Sequence, residues 1–426
     1  MPAEISRLLG RQPKTQEDFE IIAFEASQLF TPSRPVSEQD LFAGRSAEIR
    51  KMLEATAESG KHVVLFGERG VGKTSLAKVF SGMFPRTNRH IYAVREQIDK
   101  TDTFSSIWKK VFKDILVERE REGDTTVVPL SQFYENSTLL NPDDVRRELE
   151  FVFREVQIPI IVLDEYDNKS DEKINEQMAD LIKSLSDFAV NVTIVVVGIA
   201  DNLNDLVGEH RSLQRCIEQV PMPRMEPNDL RLVIDKRIAR LGMKMHPDAL
   251  WKIVNLSRGL PAYVHMLGLY SVQSAARRRS TTVTENDVSD AIKKSIEKSQ
   301  ESIQDSYELA VHSNKPGNLY RQVLLSCALA TTDDRGSFSP LAVCAPMSEM
   351  LTKDVPISAF QQHLKSFVTQ ERGNILTRKG RERAYRFRFT DPMMQPYVIM
   401  KGIEQGLVSP RAYEVLSYPA QTRLPI

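Results

Sequence analysis

Cysteine is scarce in this chain. Cys216, Cys327 and Cys344 stand far apart with no C-x-x-C pair, which points away from a disulfide framework or a zinc site. The 7 histidines are scattered and add no metal-ligand spacing. Net charge is also lacking, with 57 Lys+Arg against 57 Asp+Glu, so any basic or acidic surface must be local. Long apolar runs are missing too. The longest, 158–164 and 192–200, fall short of the roughly 20 residues that cross a bilayer, and Met1 to Lys14 holds no apolar signal-type segment. A soluble, cytoplasmic protein with no membrane partner is the expectation, and 426 residues suffice for two to three domains.

What is present centres on one stretch. His62-Val63-Val64-Leu65-Phe66 is an apolar, β-branched run, and it leads directly into Gly67-Glu68-Arg69-Gly70-Val71-Gly72-Lys73-Thr74-Ser75. Leu76, Ala77, Val79, Phe80 and Phe84 then recur at helical spacing, so the pattern reads strand, phosphate loop, helix. Glycines let the backbone turn its N–H groups around phosphates, and the next helix offers its positive end to the same anion. Lys73 is suited to the β- and γ-phosphates of ATP, and the Thr74 hydroxyl to Mg²⁺.

A second stretch complements the first. Ile158-Pro159-Ile160-Ile161-Val162-Leu163 is the unbroken apolar run of a strand buried on both faces, and Asp164-Glu165 closes it where that strand should emerge. Asp164 is the candidate metal ligand, and Glu165 the candidate that orients or deprotonates the attacking water.

In chain order, Thr15 to Phe30 predicts a helix with Phe19, Ile22, Ala26 and Phe30 on one face, stopped by Thr31-Pro32-Ser33-Arg34-Pro35. This arm is expected to pack on the α/β core. A helix bearing Ile49, Met52, Leu53 and Ala57 follows, with Gly60 just past its end. Further strands are predicted at 91–94, 192–197 and 217–222, and further helices at 103–117, 142–156 and 172–188. The charged run 117–124 and the basic 275–280 read as solvated helix ends. Residues 226–298 read as wholly helical, in segments 227–241, 247–257, 261–278 and 285–298. Beyond them come helices at 320–329 and 358–368 and a hairpin with arms 374–377 and 384–389. Its basic residues Arg378, Lys379, Arg381, Arg383, Arg386 and Arg388 face only Glu382 in opposition, a composition suited to phosphates.

Taken together, these elements resemble the AAA+ ATPases of the origin-recognition and clamp-loader branch. Phe42, Gly44, Arg45 and Glu48 resemble that family's adenine-side element, and Asn202, with Asp201 second, falls at its sensor-1 position. Arg215, with Arg211 second, matches its arginine finger, although Gln214 replaces the expected serine. In the sensor-2 region Ala262 stands where initiators carry arginine, leaving Arg258 or no residue for that role, and Gly259-Leu260-Pro261 resembles instead the GxP element of STAND signalling ATPases. The resemblance implies an α/β P-loop NTPase with a five-stranded parallel sheet and flanking helices, then an all-α lid and a winged-helix domain. The implied divisions are an arm at 1–40, the α/β domain at 41–225, the lid at 226–312, the winged helix at 313–405 and a tail at 406–426. It further implies an ATP- and Mg²⁺-dependent ATPase, a homo-oligomer or an assembly with other proteins, working as a DNA-associated machine or regulator. Its rival is a STAND-like signalling switch, for example in bacterial defence, whose winged helix touches protein and not DNA.

Overall fold

The computed structural model describes residues 13, 15–36, 39–83, 91–121, 139–154, 158–169, 171, 173–200, 211–315, 317–333, 335–381 and 384–408. They divide into two compact bodies, Pro35–Pro223 on one side and Met1–Arg34 with Arg224–Ile426 on the other.

Helix α1 (Gln16–Leu29) starts at Thr15, whose hydroxyl accepts from the Asp18 amide at 3.1 Å while the Asp18 carboxylate accepts from the Thr15 amide at 2.9 Å. That reciprocal cap satisfies two donors the helix cannot pair internally. Contrary to expectation, this arm belongs to the helical body and not to the α/β core.

The α/β body comprises α2 (Ser46–Ala57), β1 (His62–Gly67), α3 (Lys73–Gly82), β2 (Ile91–Gln97), α4 (Phe104–Arg121), α5 (Pro142–Val152), β3 (Ile158–Asp164), α6 (Lys173–Asp187), β4 (Thr193–Ile199) and β5 (Ile217–Met222). The strands form one five-stranded, all-parallel sheet in the order β2-β3-β4-β1-β5. Val63, Val64, Leu65 and the run Ile160 to Leu163 are completely buried, as parallel strands covered on both faces require. Each such side chain contributes about 1.5–3 kcal/mol by leaving water. Trp108, Val111, Phe112 and Ile115 of α4 and Met178, Leu181 and Ile182 of α6 belong to the same buried cluster as the strands. Helix α4 runs on to Arg121 and takes in the first half of the charged run; the rest of that run lies outside the described residues.

The helical body contains α7 (Pro227–Arg240), β6 (Lys244–Met245), α8 (Pro247–Leu256), α9 (Pro261–Arg277), β7 (Thr282–Val283), α10 (Glu285–Glu297), α11 (Glu301–Val311), α12 (Tyr320–Leu329), α13 (Pro340–Leu351), α14 (Gln361–Ser366), β8 (Leu376–Lys379), β9 (Arg386–Phe389) and α15 (Met394–Glu404). The four helices expected between 226 and 298 lie within a residue or two of their predicted ends. Unforeseen are the short parallel pair β6–β7 and the helices α11, α13 and α15. Pro340 and Pro346 lie in α13, residues that read as breakers in a bare sequence. The 358–368 segment resolves into a 3₁₀ turn and the short α14. The hairpin sits in the expected place, with Phe338 bridging antiparallel to Phe387 beside it.

Within this body α1 packs on α9 at Gly268, where a Cβ would lie 2.4 Å from Phe30 Cε1. Buried Arg237 donates to the Leu29 carbonyl at 2.9 Å, and the Thr31 amide donates to His265 Nδ1 at 2.9 Å. The partner of the arm's apolar stripe is a helix more than two hundred positions downstream in the chain.

Candidate functional site

The phosphate loop begins where β1 ends, against the last residue of β5. A Cβ on Gly67 would lie 2.5 Å from the Met222 carbonyl oxygen, and Gly72, capping α3, has φ +98, so both positions demand glycine. Lys73 opens α3 and is buried, with its ammonium donating to the carbonyls of Gly67 at 3.0 Å and Glu68 at 2.8 Å. Burial lowers its pKa to about 8, against the opposing pull of Asp167, Asp164 and Glu68. The side chain therefore remains mostly cationic at neutral pH. Among its neighbours on the loop, Val71 is buried, Arg69 is exposed, and the Ser75 hydroxyl accepts from the Val36 amide at 3.1 Å. Gly70, with φ +85, takes the conformation that glycine alone adopts freely.

The two acids of β3 reach the same end of the sheet. Thr74 Oγ1 donates to Asp164 Oδ1 at 3.3 Å, so a hydroxyl from α3 and a carboxylate from β3 meet, 90 positions apart in the chain. Asp164 is 1% exposed. These are hard oxygen donors of the kind Mg²⁺ takes together with phosphate oxygens, and among the described residues no three His, Cys, Asp or Glu side chains form a separate metal cage. Thr74 and Asp164 thus fit a metal that arrives with a nucleotide.

Glu165 has φ +55, a left-handed conformation that turns the chain sharply out of the strand. Its Oε2 accepts from Gln97 Nε2 at 2.7 Å and from Asn168 Nδ2 at 3.1 Å. Arg95 Nη2 lies 2.5 Å from Asp164 Oδ2, and Asp167 Oδ1 accepts from the Ile199 amide at 2.7 Å. Arg95, Gln97, Asp167 and Asn168 were not singled out from sequence. The polar run Arg95-Glu96-Gln97 that ends β2 is a signal, but the partners of its side chains follow only from β2 lying beside β3.

Other predicted residues have different fates. Arg45, 7% exposed and with φ +65, spends its guanidinium on the carbonyls of Val71 at 3.2 Å and Pro223 at 2.5 Å and on Glu48 at 3.0 Å. It braces the phosphate loop from behind. Phe42 is half-buried between the buried Leu41 and Ala43. Asn202 and Asp201 lie outside the described residues. Arg215 is exposed and ion-paired with Asp187 just before β5, whereas the phosphate loop adjoins the far end of that strand. The 6 residues of β1 separate those two ends by roughly 17–20 Å, beyond the reach of an arginine side chain. A role for Arg215 at its own chain's phosphate loop is thereby ruled out.

In the helical body, Arg258 has φ +50 and donates to the Ala330 carbonyl at 3.2 Å, and Gly259 and Pro261 follow at the start of α9. A Cβ on Gly259 would come 2.7 Å from Arg224 Cβ. Arg224 in turn donates to the Arg258 carbonyl at 3.2 Å and to Gln395 at 2.5 Å, and Tyr263 donates to the Met393 carbonyl at 2.6 Å. The turn is fastened to both α12 and α15.

On the hairpin, Arg378 stacks 4.4 Å from the Tyr385 ring, and Arg386 pairs with Asp333 and donates to the Ser337 carbonyl, each at 3.1 Å. Arg381 is exposed, and Arg383 lies outside the described residues. Part of the basic set is therefore engaged within the chain.

Among solved structures, a Walker-type ATPase of Pyrococcus abyssi is similar at 15% identity, with a TM-score of 0.53, over 87% of this chain and 99% of that one. The Orc1 protein of Aeropyrum pernix, solved in complex with DNA, gives 16% identity and a TM-score of 0.44 over 91% of this chain and 97% of that one. The RuvB Holliday junction branch migration motor of Thermotoga maritima gives 14% and 0.42 over 90% and 98%. At such identities the first likeness bears on the fold alone, and the other two are too loose in shape to add to it. No curated protein matches the chain. The family model described as Novel STAND NTPase 1 matches residues 34–370, running from the entry to the α/β body to just past α14. A match of that extent, on a five-stranded parallel sheet with a phosphate loop at the end of β1, places the chain in the Novel STAND NTPase 1 family of P-loop NTPases.

Proposed function

We propose that this chain is an ATP-binding and ATP-hydrolysing switch, dependent on Mg²⁺. The observation that carries the reading is the meeting of Lys73, Thr74, Asp164 and Glu165 at one end of the sheet, with Thr74 and Asp164 3.3 Å apart. The loop Gly67 to Ser75 would wrap the phosphates, Lys73 would neutralise their charge, and Thr74 with Asp164 would hold the metal. The metal supplies Lewis-acid stabilisation of phosphate charge when bound. Glu165 would then orient the attacking water and accept its proton. Asn202 as a sensor, Phe42 on the adenine side and Pro261 at the nucleotide remain parts of this reading. Arg215 would act on a neighbouring subunit, which makes assembly a condition of full activity.

The switch is favoured over a DNA machine by the fastening of the Arg258–Pro261 turn to α12 and α15, because a change at that turn must be carried into the C-terminal helices. The helix-bridge-helix-helix-hairpin order from α12 to β9 supports a winged-helix reading of that region. Titration with ATP tests the site: Lys73→Ala should lose binding while remaining folded, and unchanged affinity would overturn the assignment. DNA binding is the second reading, favoured by exposed Arg381 on the hairpin. Fluorescence anisotropy across a salt series decides between them. A steep loss of affinity with salt, flattened by about 2–3 units when Arg381, Arg383 and Arg386 are replaced together, supports DNA. No binding at low salt with or without ATP supports the switch.

A further inference from the structure

We propose that Arg95 sets how much divalent metal the nucleotide site requires, by holding the carboxylate that the metal must share. The proposal rests on the reading of Asp164 given above. Asp164 is 1% exposed, and an ionised carboxylate at such depth needs compensation. Its Oδ1 receives neutral donors, the Thr74 hydroxyl at 3.3 Å and the Glu165 amide at 2.9 Å. Its Oδ2 receives a full positive charge, Arg95 Nη2 at 2.5 Å. Lys73 does not take this place, since its hydrogen bonds go to the Gly67 and Glu68 carbonyls.

The grip of Arg95 is single-pronged and releasable. Among the described residues its guanidinium makes no second hydrogen bond, and its buried Nε has no partner. A divalent cation that approaches Asp164 therefore meets a guanidinium on the same carboxylate, and like charges at such range repel. Without metal, Arg95 keeps the buried Asp164 compensated. With metal, that contact is weakened or given up. Gln97, two positions on and so on the same face of β2, holds Glu165 through a neutral hydrogen bond. One strand face thus controls both acids, one by charge and one by hydrogen bonding. Arg95 is a positioning residue that acts through Asp164.

The test uses the full chain and a fluorescent ATP analogue, with Mg²⁺ titrated at fixed nucleotide. In Arg95→Gln the Mg²⁺ concentration for half-maximal binding should fall about ten-fold, the effect of removing one close like charge. Arg95→Lys, which keeps the charge, should stay near wild type. Thermal melting gives a second readout: in EDTA the glutamine variant should melt below wild type, and Mg²⁺ with nucleotide should raise its melting point by more than it raises the wild type's. Should Arg95→Gln fail to fold, Arg95→Met fills the same stem volume without the charge and carries the same expectation. A midpoint that is unchanged or higher in the uncharged variant overturns the role of Arg95. A wild type that binds no analogue at any Mg²⁺ concentration overturns instead the nucleotide-site reading beneath it.

Discussion

At the scale of single residues, the site is a set of side chains each restrained by a neighbour the chain supplies from elsewhere. Glu165 shows this most clearly, for its left-handed backbone turns it out of β3 and Gln97 and Asn168 then fix its carboxylate. Glu165→Gln keeps the shape and loses the proton acceptor. Hydrolysis should fall by about 10²–10⁴-fold in a phosphate-release assay, with ATP affinity retained. A rate equal to wild type would remove Glu165 from the mechanism. Gln97→Ala removes a donor that restrains the carboxylate in one orientation, so basal hydrolysis should rise several-fold while affinity stays constant. A fall in rate would show that Gln97 presents Glu165 and does not restrain it. Glu165 was legible in the sequence because it ends an apolar run. Gln97 was not, since nothing local in the sequence says which strand lies beside β3.

Among the elements, the seam between α1 and α9 is held by close approach more than by charge. Gly268 leaves room for the Phe30 ring, and Arg237 and His265 bind the last carbonyl and the next amide of the arm. Gly268→Ala would force the ring away from α9, an overpacking that costs about 1–3 kcal/mol. A lowered urea midpoint with an unchanged slope would be the expected result, and an unaltered midpoint would mean that the arm contributes nothing there. The helical stripe of α1 is plain from Phe19, Ile22, Ala26 and Phe30, yet nothing in it names α9 as the surface it packs on. An amphipathic helix states that it needs an apolar partner and not which one.

For the molecule as a whole, each body carries a buried histidine whose neutral form is built into the packing. His62 accepts from the Ile194 amide at 3.1 Å and joins β1 to β4, and burial pulls its pKa down to about 3. Burial, and then Arg237, holds His265 well below the usual range. In the unfolded chain both take up protons near pH 6.5. Below that pH the unfolded state binds more protons than the folded one, so stability is complete above about 6.5 and is lost steadily as pH falls toward the folded values. Denaturant midpoints should therefore drop between pH 7.5 and pH 5, and His62→Asn should lessen that drop if its amide takes over the same acceptor role. A pH-independent midpoint in the wild type would contradict the buried neutral state. The sequence by itself determined the phosphate loop, the acid-tipped strand, the parallel sheet and the helices of the 226–298 segment, because glycine conformation, apolar runs and helical spacing are properties of neighbouring residues. Only tertiary structure decided that Arg45 braces the phosphate loop, that Arg215 lies at the opposite end of the sheet from its own phosphate loop, that Arg258 is spent on α12, and that Arg95 and Gln97 hold the two acids. Each of those facts depends on strand order or on side chains distant in the chain meeting in space, and no local pattern encodes either.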